Sequence, residues 1–399
     1  MKNLKWYQIQ LLELVSFALF GGEKCDMPLT TEVLIEAEQQ AVLTLMKVKQ
    51  EDFPELYLVY MQSLVNNVRI DYEHAEAHRL LNTAGIPYVV LKGSVSAAYY
   101  PESMLRTMGD VDLLIAKSDL SKVDMILRKN GFCPTGDKEH HCHMVYHRRV
   151  YDILSTWEVH WEPSGIPNGK AGDKIQEYLE DIISSAESFK VPEGEYMVPT
   201  AFHHGLVMLL HVAGHLINSG IGLRHLCDWA VFASKFSDEE FCEVFEEKLK
   251  TVGLWRFAQL LMQLSIKYLH CPAKKWCGVG DDDYLVLMMI DIMNGGNFGS
   301  KDKNRINQAK LMTNAGKGKV DDTSFLKQLF LTMNEKARIG MPITAKAPLL
   351  LPIGWIFVGV RHLIRIKQKK RPSINVKDMI SGASERKEIY KEFQLFEIE

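Results

Sequence analysis

This sequence predicts an α+β fold, with a small mixed-sheet core set between a helical N-terminal segment and a helical C-terminal domain. Three observations carry that prediction. Apolar, β-rich runs are confined to residues 86–165. On either side, apolar residues recur at the three- and four-residue spacing of helices. Between them, LKGSVSAAYYPESMLRTMGDVDLLI (Leu91 to Ile115) joins a Gly-Ser turn to two aspartates one residue apart. The expected division is 1–85, 86–165 and 166–399.

In order, Trp6 to Ala84 is helical, with Leu34, Ala37, Ala41 and Leu45 in register. The apolar run Leu11 to Phe20 is broken by Glu13 and Ser16 and lacks a convincing cleavage site, so it reads as an amphipathic helix rather than a signal peptide. A strand is expected at Tyr88–Leu91, then a helix from Ser94 to Tyr100 that Pro101 stops. A second strand spans Asp110–Ile115, a second helix Leu120–Asn130 with Gly131 at its end, and two further strands His141–His147 and Val150–Trp161. After Pro163 the strand signals fade and helical patterns run to about Phe393, with Gly295 to Asp322 expected as a long mobile loop.

Composition narrows the function classes. The 399 residues are 47% hydrophobic and 24% charged, the balance of an ordinary globular protein with room for two or three domains. A formal charge of −3 supplies no general attraction to nucleic acid, so polymers are disfavoured and small acceptors or proteins fit better. Seven scattered cysteines without a CxxC pair fit reduced thiols in a cytoplasmic protein and argue against a cysteine-type zinc site. No stretch of 18 uninterrupted apolar residues occurs.

The chemistry sits around the Gly-Ser turn. At a helix N-terminus, free backbone amides can hold phosphate oxygens. Gly93 permits close approach, Ser94 adds a hydroxyl, and Lys92 or Arg106 can supply charge opposite a polyphosphate. On the next strand, alternation puts Asp110 and Asp112 on one face and Val111 toward the core. Two carboxylates so placed call for a positive charge between them, and a hard divalent cation is the usual solution. Thr156-Trp-Glu158-Val-His160-Trp161 alternates too, with Glu158, His160 and Glu162 on one face. Glu158 is the expected third acid, with Asp152 its competitor.

These residues resemble the nucleotidyltransferases of the DNA polymerase β-like superfamily, and within it the uncharacterised nucleotidyltransferase branch. The matching elements are Leu91-Lys92-Gly93, Tyr100-Pro101, Arg106 and Asp110 to Leu114, with 15 residues between Ser94 and Asp110. The resemblance implies a nucleotidyltransferase core at 86–165 in which Asp110, Asp112 and Glu158 are catalytic and bind Mg²⁺, while Lys92, Gly93, Ser94 and Arg106 bind the nucleotide. It also implies transfer of a nucleoside monophosphate from an NTP to a hydroxyl of a small molecule or protein, with release of pyrophosphate. The rival expectation is a nucleotide-binding or partner-binding module that does not turn over.

Other constellations compete. His140, His141, His143 and His147 cluster beside Cys142. Sequential ligands along one strand seldom converge on a metal without help from elsewhere, so a partly exposed sheet face is the default, with nucleotide or acceptor contact as the alternative. His203, His204, His211 and His215 fall in an apolar helix and read as core histidines. Arg224 and Asp228 are expected to hold the helical domain near the site, in a run Leu223-Arg-His-Leu-Cys-Asp-Trp229 that resembles the same branch. Finally, Ala347 to Val360 is apolar and is followed by Arg361, Arg365, Lys367, Lys369, Lys370 and Arg371. A buried helix with a basic tail is the default there, and peripheral membrane contact through 347–371 the alternative.

Overall fold

The computed structural model describes residues 3–22, 27–135, 142–150, 153–192, 194–302, 305, 308, 325–341, 343–367 and 376–398. Three helices come first: α1 (Trp6–Phe20), α2 (Thr31–Gln39) and the long α3 (Pro54–Thr83), which opens on a proline at its first position, where no amide is needed. Then follow β1 (Tyr88–Val90), α4 (Ser94–Ala97), β2 (Val111–Ile115), α5 (Leu120–Lys129), β3 (Cys133–Pro134), β4 (His143–Val150) and β5 (Ile153–His160). The five strands form one mixed sheet in the order β1-β2-β5-β4-β3, in which β2 and β5 are parallel and the other neighbours antiparallel. Helices flank this sheet, an α+β arrangement.

Alternation explains how the sheet is buried. Val111, Leu113 and Ile115 of β2 face one apolar core with Tyr88, Val90, Trp157 and Val159, closed by Ile70, Ala77 and Leu81 of α3 and Val123 and Leu127 of α5. Leu114, with Val89 and Leu91, faces a second core built by the helical body. A strand buried on both faces must be apolar throughout unless a polar residue has a task, and Asp112, also on the second face, is only 1% exposed.

The remaining elements include α6 (Lys170–Leu179), a hairpin of β6 (Glu187–Val191) and β7 (Gly194–Val198), α7 (Ala201–Asn218), α8 (Leu223–Ala233), the short α9 (Asp238–Phe241) and α10 (Glu247–Thr251), α11 (Trp255–Leu269), α12 (Asp282–Gly295), α13 (Phe325–Gly340), α14 (Leu351–Lys367) and α15 (Val376–Lys391). Leu11, Leu12, Val15 and Leu19 of α1 and Val33, Leu34 and Ala37 of α2 belong to the same core as α7, α8 and α11. The first two helices are thus part of the helical body, while α3 packs on the sheet.

Several sequence expectations need correction. The hairpin β6–β7 lies where strand signals were expected to have faded; its Tyr196 is buried against the sheet core and its Met197 amide donates to the Tyr88 hydroxyl at 3.3 Å. Helix α4 ends at Ala97, not Tyr100, and the strand expected at His141–His147 runs from His143 to Val150. His140, His141 and Asp152, most of the expected loop before Asp322, and Lys369 to Arg371 lie outside the described residues.

Candidate active site

Two neighbouring strands build the centre. β2 and β5 run parallel with Asp112 directly opposite Glu158, so both carboxylates project from the same face. Asp110 stands just before β2 on the same wall, and Val111 between them is fully buried in the sheet core. A cavity of about 760 Å³ opens over these acids. Its floor includes Lys92, Gly93, Asp110, Asp112, Glu158 and His160, and its roof includes His211, His215, Arg224, His225 and Phe298 from the helical body.

The charges are closely interlocked. Lys92 Nζ lies 3.2 Å from Asp112 Oδ1, and His160 Nε2 lies 3.1 Å from the same oxygen and 3.3 Å from Glu158 Oε2. Burial works to raise the pKa of Asp112, but Lys92 and His160 outweigh it and hold the carboxyl well below its ordinary range. Asp110 shows the opposite: the neighbouring Asp112 charge, with burial, pushes it up to about 6. Burial would lower His160, yet the neighbouring Asp112, with Cys142 and Glu158 close by, raises it. Asp112 Oδ2 is buried with no hydrogen-bond partner among the described residues, a costly state for a carboxylate oxygen unless something binds it.

The turn after β1 supplies a different kind of group. Gly93 has φ 74° and ψ −113°, a conformation L side chains rarely adopt, and it caps α4. A Cβ there would meet only ordinary contacts, so backbone conformation, not space, demands glycine. The hydroxyl of Ser94 was expected to face a phosphate and does not. It donates to Asp71 and lies 2.9 Å from His74 Nδ1, away from the cavity lining, so only the backbone of Ser94 can serve the turn.

Arg106 is tied to the helical body. Its Nε and Nη2 donate to the two oxygens of Asp228 at 2.8 and 2.7 Å, and the Tyr100 hydroxyl donates to the same carboxylate at 2.7 Å. Two of its three nitrogens are thereby engaged by α8, while the residue also lines the cavity. Arg224 is the cation that sequence reasoning undervalued. Its Nη1 donates to the Thr107 carbonyl at 3.1 Å while its buried Nε has no partner among the described residues, and it lines the cavity. Burial, then the neighbouring Arg106, lowers its pKa from the ordinary arginine value. The expectation that Arg224 and Asp228 hold the helices near the site fits this geometry, with Arg106 as the missing partner.

The histidines divide. His203 is satisfied by Thr200 Oγ1 at 2.9 Å and the Tyr178 carbonyl at 3.0 Å, as a core histidine should be. His211 and His215 instead line the cavity, their rings 4.4 Å apart, with the Phe298 ring 4.5 Å from His215. His147 bonds Thr156 at 3.1 Å, whereas His143 faces the cavity beside Glu158.

Residues 53–270, more than half of the chain, match the family described as uncharacterised nucleotidyltransferases. The chain belongs to that family. No curated protein matches it. Among solved structures, an antigenic nucleotidyltransferase-like protein from Paracoccidioides brasiliensis is similar at 12% identity and a TM-score of 0.33, over 53% of this chain and 94% of that one, a likeness too slight to bear on the site. In this member of the family, one group of donor atoms brought within 4.8 Å of one another is that of Asp112, Glu158 and His160, with Asp110 outside it. Alternation along β5 already put His160 beside Glu158; the signal for its role was there and went unused.

Proposed function

We propose that the protein is a Mg²⁺-dependent nucleotidyltransferase, moving a nucleoside monophosphate from an NTP to a hydroxyl of a small molecule or protein and releasing pyrophosphate. One observation carries the reading: Asp112 and Glu158 oppose each other on parallel strands, and Asp112 Oδ2 is buried with no hydrogen-bond partner among the described residues, beside a second aspartate. Oxygen donors with excess negative charge fit a hard divalent cation, which Asp110, Asp112 and Glu158 would hold. Such an ion, when bound, neutralises charge on the phosphoryl oxygens and makes the acceptor hydroxyl easier to deprotonate.

The chain's own groups do the rest. Lys92, held against Asp112, and Arg224, with an unmade donor in the cavity wall, stabilise negative charge building on the phosphates as the acceptor oxygen attacks and the bond to pyrophosphate breaks. The Gly93 turn brings backbone within reach of a phosphate. His160 fixes the orientation of Asp112 and Glu158 together. The test is incubation with each α-phosphorus-labelled NTP, Mg²⁺ and cell extract. Label should enter protein or a small metabolite, and the double variant Asp110→Asn, Asp112→Asn should abolish it; undiminished labelling by that variant would sink the mechanism. Nucleotide binding by calorimetry without pyrophosphate release, over a broad acceptor screen, would favour a non-catalytic binding module.

A second reading concerns place rather than chemistry. No helix among the described residues is long and apolar enough to cross a membrane. Around the N-terminal half of α14, however, Leu349 is 94% exposed, Ile356 68% and Ile353 53%, with Phe357 and Val360 also exposed. We propose that this face, followed by Arg361 and further basic residues, makes peripheral contact with an anionic membrane surface. Sedimentation with phosphatidylserine-containing liposomes should carry the protein down, and Leu349→Glu with Ile356→Glu should leave it in the supernatant.

A further inference from the structure

We infer that Cys142, His143 and His160 form a site for a soft divalent metal ion, with zinc the best match, beside the carboxylate centre and distinct from it in donor chemistry. Sequential ligands on one strand do not converge unaided, but here the sheet supplies the missing one. Antiparallel pairing sets His143 of β4 directly opposite His160 of β5, with ring centroids 4.7 Å apart. One donor atom each from Cys142, His143 and His160 lies within 4.8 Å of the others.

The spacing matches tetrahedral coordination. Zinc sits about 2.3 Å from sulfur and about 2.0–2.1 Å from nitrogen, which at tetrahedral angles separates the two ligands by about 3.5 Å. Cys142 Sγ and His143 Nδ1 are 3.5 Å apart. His160 has a carboxylate hydrogen-bonded at its other nitrogen, and His143 has one nearby but beyond hydrogen-bond distance. His143 Nε2 lies 3.9 Å from Glu158 Oε2, and His160 Nε2 lies 3.1 Å from Asp112 Oδ1. The His160–Asp112 contact is the outer-shell pattern that orients a metal-binding histidine and leaves its Nδ1 for the ion. His160 is 2% exposed, and its Nδ1 is buried with no hydrogen-bond partner among the described residues. Ser164 Oγ, 3.5 Å from Cys142 Sγ, can donate to the thiolate.

One sulfur and two nitrogens select zinc over magnesium, whereas the neighbouring acids prefer the reverse. Three protein ligands leave a fourth position for water, and since His143, His160 and Ser164 all line the cavity, that position faces the space where substrate would sit. The two sites share the Asp112–His160 contact, so an ion at the cysteine side fixes the His160 ring that steadies the acids. This inference does not depend on nucleotidyl transfer.

The test uses the full-length, reduced protein and the metals alone. After dialysis with zinc and removal of excess, elemental mass spectrometry should find stoichiometric zinc, and Co²⁺ substitution should give a thiolate-to-metal charge-transfer band. Cys142→Ser should abolish that band and, like His143→Ala, weaken zinc binding by more than about a hundredfold. Cys133→Ser, which alters an exposed cysteine on β3, should change neither, and circular dichroism of each variant separates ligand loss from misfolding. Absence of stoichiometric zinc from the wild type, or an unchanged band in Cys142→Ser, would overturn the assignment.

Discussion

At the scale of single residues, two arginines of the cavity wall are held in different ways. Arg106 sits between the Gly-Ser turn and the aspartates, yet its bidentate bond with Asp228 makes it a buried clamp between the segment before β2 and helix α8. Removing one partner of such a pair strands the other, so Asp228→Ala should destabilise the protein by about 3–5 kcal/mol in urea unfolding. Arg224 should behave differently. Arg224→Ala loses one hydrogen bond to a carbonyl, while a charge-assisted contact to phosphate is worth about 1.5–3 kcal/mol. Calorimetry should therefore find NTP affinity reduced by about tenfold or more in Arg224→Ala, with a smaller stability loss than in Asp228→Ala.

At the scale of elements, the site depends on a helix that carries none of its chemistry. Asn67 of α3 donates to the Met104 carbonyl at 2.7 Å and accepts from the Met108 amide at 2.9 Å, while Asn66 donates to the Met108 carbonyl at 2.6 Å. These bonds fasten the irregular segment that bears Arg106 and leads into Asp110. Asn67→Leu leaves the buried Met108 amide unpaired, at about 1–3 kcal/mol, and frees the partly buried Met104 carbonyl. Hydrogen exchange should then show faster opening from Met104 to Asp110 than in the wild type, with the strands β4 and β5 little changed. The hairpin β6–β7 is a further lesson at this scale. Its alternating residues, Phe189 with Val191 and Tyr196 with Val198, are few and flanked by charge, so the run resembles exposed chain until Tyr196 packs 5.2 Å from His74 and against the sheet core.

At the scale of the whole molecule, packing helices on the sheet buries titratable rings that a smaller protein would leave wet. Burial lowers His74, His204 and His215 from 6.5 to about 4, and pushes His211 and His225 well below 6.5. Above pH 6.5 these rings are neutral folded or unfolded and contribute no pH dependence. As pH falls from 6.5 toward 4 the unfolded chain takes up protons that the folded chain refuses, so stability falls, by about 1.4 kcal/mol per pH unit for each ring. Urea midpoints should drop steeply through that window, and His204→Gln should lessen the slope; equal slopes would mean that burial of His204 does not govern its titration.

The sequence by itself determined the local chemistry: a glycine where the turn after β1 needs a positive φ, alternation that puts Val111, Trp157 and Val159 in the core, and acids on the opposite face of the same strands. These are short-range consequences of backbone geometry, readable from spacing alone. The tertiary structure decided which charges meet. Asp228 claims Arg106 from 122 residues away, Arg224 enters the cavity, and His160 comes between Asp112 and Glu158 and opposite His143. Spacing along a chain says which face a side chain takes; only packing brings two faces together, and a buried charge is satisfied by whichever partner the fold delivers.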